Sequence, residues 1–324
     1  MKKIVSFLLI FVLLLGAAGC GAPAEKSDKL QVICTVFPQY DWVRNILGET
    51  DSIEVTLLMD NGADLHNYQA SVADLSAIAA CDLFIYTGGA SDDWVADALP
   101  NCTNPSRKVI DLMQTIEEPI CAAHDHEEHE EHEHHEGEEY DEHIWLSLKN
   151  ADLAVQKIAE MLGEIDPKNT ATYTANADAY RAKLTQLDKE YQETTNSAAI
   201  KTLVFADRFP FAYLFRDYGL HHHAAFTGCS AETEASFATI SMLAQKVDEL
   251  KLHAVMVIET SDQSIARTVV QNTQTKDQQI LVLDSMQSVT QKRIDAGETY
   301  LNIMENNLKT LKNALATEIE LWLN

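Results

Sequence analysis

The sequence predicts an α/β protein of two lobes, each a mostly parallel sheet flanked by helices, joined by one long rigid helix with a cleft between the lobes. Three observations point there. Apolar, β-branched runs alternate with helical periodicity over residues 30–112 and again over 202–283, and strand-helix-strand alternation builds parallel sheets covered on both faces. Between these stretches, residues 150–194 carry helical spacing alone. The roughly 295 residues beyond Lys29 exceed what one core holds, so two domains are expected.

In the first half, Leu30 to Val36 reads as a strand. Pro38 to Gly48 follows, with Tyr40, Trp42, Val43, Ile46 and Leu47 at helical spacing and a closing glycine. A strand from Ile53 to Met59, a helix from Ser71 to Ala80, a strand from Asp82 to Thr87, a helix from Asp92 to Leu99 and a strand from Lys108 to Leu112 continue the pattern. Asn150 to Gly163 is helical. Asp166-Pro167 then opens a longer helix reaching about Thr194, since proline sits well in a first helical turn. The second half repeats the alternation with strands at Thr202 to Ala206, Leu220 to Phe226, Ala254 to Ile258 and Gln279 to Leu283. Helices at Pro210 to Tyr218, Ser236 to Leu250 and Asp262 to Gln274 lie between them, and a last helix runs from about Gly297 to Leu315.

The N-terminus is a separate matter. Met1-Lys2-Lys3 and the apolar run Ile4 to Leu15 are too short to span a bilayer and end in small residues, which reads as an export signal. Gly16-Ala17-Ala18-Gly19-Cys20 resembles the lipobox of bacterial lipoproteins, with Ala17 where that pattern prefers leucine. The resemblance implies a lipidated Cys20 and a polar tether to residue 29. No later apolar run reaches membrane-spanning length. Expected boundaries are therefore a signal peptide over 1–19, the lipidated cysteine and tether over 20–29, a first lobe over 30–148, linking helices over 149–198 and a second lobe over 199–324. Cys34, Cys81, Cys102, Cys121 and Cys229 remain, an odd number whose pairing spacing does not fix.

Charge and histidine are concentrated in one place. The net charge is −26, and the loop 122–142 carries His124, His126, His129, His132, His134 and His135 separated almost wholly by carboxylates. Alternating His and Glu builds no face that could enter a core, whereas imidazole with carboxylate suits Zn²⁺ and other divalent transition ions. A surface this acidic disfavours nucleic acid and favours cations.

Away from the loop, His66 follows an apolar strand and His143 precedes a helix, so both are expected on loops at element ends. His221, His222 and His223 occupy a strand pattern in which neighbours point to opposite faces. The surrounding motifs resemble the zinc and manganese solute-binding lipoproteins of ABC importers, the ZnuA and TroA type. Phe37-Pro38-Gln39-Tyr40-Asp41-Trp42 looks like that family's first strand-to-helix turn. Gly62 to Tyr68 looks like its P-G-x-x-P-H-x-Y loop, and Glu142-His143-Ile144-Trp145-Leu146 looks like D-P-H-x-W-L with Glu142 replacing the proline. Asp166-Pro167-Lys168-Asn169, Tyr218-Gly219-Leu220 and the Tyr300 to Leu308 stretch also fit.

The resemblance implies a metal held by His66, His143 and Asp284, with Glu259 ending a neighbouring strand. It also exposes a departure. Where the family has a His or Glu before its aromatic motif, this chain has Arg208, and guanidinium has no lone pair to donate. Asp207 is the expected replacement ligand, with His222 or Glu234 as substitutes if the loop is displaced; alternatively Arg208 pairs with Glu259 or Asp284.

The implied function is extracytoplasmic capture of Zn²⁺, with Mn²⁺ as the other candidate, by a lipid-anchored monomer that delivers the ion to an ABC permease driven by a separate ATPase. No phosphate-binding G-x-x-x-x-G-K-[ST] motif is present in this chain. The competing readings are a secreted metallohydrolase and a binder of a metal chelate or anionic solute through Arg208. H-E-x-x-H and G-x-S-x-G are both absent, which disfavours the hydrolase.

Overall fold

The computed structural model describes residues 29–120, 140–226 and 235–316. The expectations for the signal, Cys20, the six loop histidines, Cys121, Cys229 and Glu234 lie outside them. The first sheet contains β1 (Leu30–Cys34), β2 (Ile53–Leu57), β3 (Leu83–Tyr86) and β4 (Lys108–Asp111), all parallel, in the order β2-β1-β3-β4. The second contains β5 (Thr202–Phe205), β6 (His221–Ala224), β7 (Ala254–Ile258) and β8 (Gln279–Leu283), also parallel, in the matching order β6-β5-β7-β8. The chain is thus a two-lobed α/β fold.

Alternation along the strands explains why helices cover both faces. In β1, Val32 and Cys34 enter one buried cluster while Ile33 enters another; in β7, Met256 and Ile258 part in the same way from Val255 and Val257. The helices are capped as their sequences indicate: Ser71 accepts the Asp74 N–H ahead of α1 (Val72–Ala80), and Ser236 accepts the Thr239 N–H ahead of α2 (Phe237–Leu250).

The lobes meet in a common interior. The largest buried apolar cluster runs from Val32 through Leu148, Tyr191 and Phe205 to Leu315, so the inner faces of both sheets and the linking helices form one core, although chain length alone suggested two. α3 (Thr170–Ser197) is the long linking helix. It begins beyond a 3-10 turn at Pro167–Asn169 and is 28 residues long, about 42 Å at 1.5 Å per residue. Tyr173, Ala177, Tyr180, Leu184, Leu187 and Tyr191 make its buried stripe, at the three-and-four spacing of a helix with one apolar face. The last helix, α4 (Tyr300–Leu315), is pinned to the junction: the Tyr300 hydroxyl donates to the Trp145 carbonyl at 2.6 Å, and its N–H donates to Asp41 at 3.2 Å.

Two elements differ from expectation. The helix expected at Asp92 to Leu99 is only Val95–Ala98, because the Asp92 carboxylate turns back to accept the N–H groups of Thr87 and Gly88, and Pro100 ends the segment in a 3-10 turn. A short helix at Gln291–Asp295 was not anticipated; Thr290 caps it by accepting the Arg293 N–H.

Candidate metal centre

The loops after the strands of the two sheets face one another. Asn61 bridges to Thr290, and the Gln291 N–H donates to the Asp60 carbonyl at 2.6 Å, joining the loop after β2 to the segment after β8. This is the crevice beyond the carboxyl ends of parallel strands, where ligands of α/β sheets bind.

His66 lies in the 3-10 turn Leu65–Asn67, whose backbone is fixed by Asp64 accepting the His66 N–H at 3.1 Å. Its Nδ1 is 2.8 Å from Ser91 Oγ and 3.9 Å from Glu142 Oε2. His143 is buried at the start of the turn Ile144–Leu146, with its backbone N–H and its Nδ1 both on Asp141 Oδ1, the latter at 2.9 Å. The two imidazoles, far apart in sequence, approach to 5.4 Å between ring centroids, and Trp145 packs edge-on against His143 at 5.3 Å. A His–carboxylate contact at Nδ1 sets the tautomer whose lone pair is on Nε2, the usual arrangement of a metal-binding histidine.

Two acids of the second lobe, Asp284 and Glu259, are already engaged. The structure corrects both suggested partners of Arg208: its guanidinium pairs with Asp64 of the other lobe at 3.0 Å, not with Glu259 or Asp284. Asp284, directly after β8, takes Arg293 at 2.6 Å on Oδ2 and the Met286 N–H at 2.8 Å on Oδ1. Glu259 follows β7 and accepts from the N–H and hydroxyl of Ser285; burial, with the nearby Asp284 charge, pushes its carboxyl above the usual carboxylate range. Asp207 accepts the Arg208 N–H through Oδ1, while its buried Oδ2 has no hydrogen-bond partner among the described residues. Among those residues no three His, Cys, Asp or Glu side chains stand around one point as a finished metal cage.

His222, the substitute ligand expected if the loop were displaced, packs among aromatic rings. Its ring stacks on Phe209, with centroids 3.4 Å apart and 8° between planes, and meets Phe215 edge-on. His223 turns the other way, toward Lys246 and Glu249, and burial lowers its pKa. The alternation expected of a strand therefore holds.

A sequence model of the ZnuA family, described as zinc-uptake complex component A, periplasmic, matches residues 32–314. The chain belongs to this family. Among ZnuA relatives, the zinc-binding lipoprotein AdcA of Streptococcus pneumoniae strain R6 is 31% identical over 323 residues, covering 98% of this chain but 62% of AdcA. The high-affinity zinc uptake system protein ZnuA of Bacillus subtilis strain 168 is 31% identical over 327 residues, covering 97% of this chain and 98% of that protein. The crystal structure of the Zn(II)-bound ZnuA-like domain of S. pneumoniae AdcA aligns with a TM-score of 0.72 at 29% identity, covering 89% of this chain and 100% of that one. This chain thus spans less than two thirds of AdcA's length.

Three residues beside the site have places that the motifs do not assign: Ser91, Glu142 and Arg293. Glu142 was legible as a departure, a carboxylate where the motif has proline, but its reach toward His66 depends on the fold. Ser91 and Arg293 carry no local signal. Ser91 lies on a 3-10 turn after β3, and Arg293 on the unanticipated helix Gln291–Asp295.

Proposed function

We propose that this chain captures a divalent transition metal outside the cytoplasmic membrane and delivers it to an ABC permease for uptake, as a binding protein and not an enzyme. Zn²⁺ is the principal cargo and Mn²⁺ the secondary one. One observation carries this reading: two histidines from distant loops converge in the interlobe crevice, and one of them, His143, rests its Nδ1 on a carboxylate. Two imidazoles with carboxylates form a mixed N/O set that suits Zn²⁺ and tolerates Mn²⁺. The names of the relatives agree with the assignment.

His66 and His143 are the first ligands in this proposal, and Asp207 is the third because its buried oxygen lacks a hydrogen-bond partner among the described residues. Asp284 joins when Arg293 yields. The His/Glu loop with His124, His126, His129, His132, His134 and His135 gathers ions weakly and passes them inward. Cys20 carries the lipid, holding a monomer at the outer face of the membrane beside its permease and ATPase. The binding claim is tested by metal analysis of the mature chain purified without added metal, together with competition titrations of Zn²⁺ and Mn²⁺. One tightly held ion in the wild type and none in the double variant His66→Ala/His143→Ala is expected. Equal metal content in both would refute it.

A further inference from the structure

The carboxylate of Glu142 is built into the structure in a way its position in the motif does not explain. Its side chain is 5% exposed, and Oε1 accepts the Ser91 N–H at 2.6 Å. Oε2 is buried without a hydrogen-bond partner among the described residues, 3.9 Å from His66 Nδ1. Room for the side chain comes from Gly89: a Cβ there would meet Glu142 Cγ at 2.6 Å, and the backbone φ of +87° also favours glycine. Ser91 ties the parts together, its N–H on Glu142 and its Oγ 2.8 Å from His66 Nδ1.

A buried carboxylate oxygen left without a donor is costly, and such groups call for an explanation. The neighbouring Asp141 supplies the comparison. It touches His143 Nδ1 at 2.9 Å, so two consecutive acids address the Nδ1 atoms of two different histidines. When an imidazole donates its Nε2 lone pair to a divalent cation, its Nδ1–H becomes a stronger donor and is better matched by an anion than by a hydroxyl.

We propose that Glu142 is a positioning residue for metal capture: seated by Ser91, its carboxylate orients His66 with the proton on Nδ1 and the lone pair on Nε2, and becomes the acceptor for that proton when the ion binds. This rests on the metal-binding reading above. It gives each histidine its own carboxylate and makes the first lobe the more anionic half of the site. It also predicts that this chain tolerates Arg208 because compensating charge stands behind His66.

The test is Glu142→Gln, which keeps the size and the Ser91 hydrogen bond but removes the charge, with Ser91→Ala as a second variant. Zn²⁺ affinity is measured by competition with a chromophoric chelator, the Co²⁺ ligand-field spectrum reports coordination number, and ¹⁵N shifts report the His66 tautomer. For Glu142→Gln the expected result is a loss of about 10- to 100-fold in affinity, typical for a residue behind a ligand. Its Co²⁺ spectrum should stay like that of the wild type, and its metal-free His66 should populate both tautomers. Ser91→Ala should show the same tautomer mixing with a smaller loss. Wild-type affinity in Glu142→Gln overturns the proposal, and so does a changed coordination number, which would make Glu142 a direct ligand. A wild-type protein that binds neither Zn²⁺ nor Co²⁺ would instead sink the metal-binding reading itself.

Discussion

The two walls of the crevice are built on the same strand order yet prepared differently. On the first lobe, His66 and His143 stand with Ser91, Asp141 and Glu142 behind them, and among the described residues no lysine or arginine pairs with Asp141 or Glu142. On the second, Asp284 is held by Arg293, Glu259 is satisfied by Ser285, and Arg208 reaches over to occupy Asp64. A wall of imidazoles and unneutralised carboxylate attracts a cation directly. On the second wall Asp284 must release Arg293 first and only Asp207 keeps an oxygen without a hydrogen-bond partner among the described residues, so capture is divided into docking on the first lobe and completion by the second.

The sharpest way to break this comparison is to remove a first-lobe ligand. His66→Ala or His143→Ala should weaken Zn²⁺ binding on the order of a hundredfold to a thousandfold, taking about 10–16 kcal/mol for a four-ligand zinc site as shared among its ligands. Asp207→Ala should cost less, about tenfold to a hundredfold, if that acid joins only on completion. Competition titration measures both. A larger loss from Asp207→Ala than from either histidine would reverse the proposed order.

Arg208→His sharpens the comparison from the other side. The exchange removes a fixed positive charge, frees Asp64 and supplies a lone pair where the resembled family has one, so Zn²⁺ affinity should rise by about tenfold or more. Calorimetry with free and chelated Zn²⁺ checks this. If affinity for free metal falls while chelate binding disappears, the arginine is itself recognising an anion.

Much of this architecture was legible beforehand because it is carried by periodicity. Every expected strand is present, since β-branched runs such as Ala254–Ile258 leave little alternative, and the Pro167 turn marked the start of the long helix. His66 and His143 were legible because motifs surround them. The ion pairs were not. Whether Arg208 reaches Asp64, Glu259 or Asp284 depends on how two lobes meet, and Arg293 sits on a five-residue helix too short to show periodicity. The single interior shared by the lobes was also hidden, because length constrains the size of a core but not its continuity.

The effect farthest from the metal concerns the joint between the two walls. Asp41 is buried there, accepting from the Tyr300 N–H and the Tyr180 hydroxyl, and burial pushes its carboxyl up to about 6 from an ordinary value near 3.8. The folded chain therefore holds a proton on Asp41 between these values while the unfolded chain has lost it. Stability from this group is complete below about pH 4, falls as pH rises, and is gone above about pH 6, a change of at most about 3 kcal/mol. Asp41→Asn keeps the size and an acceptor for Tyr300 but cannot ionise. Urea unfolding of the metal-free variant at pH 4, 5 and 6 should show a flatter stability profile than the wild type, with metal affinity at neutral pH unchanged. Parallel profiles would mean that the junction solvates Asp41 better than its burial implies, and that the two lobes are joined less rigidly than their common core suggests.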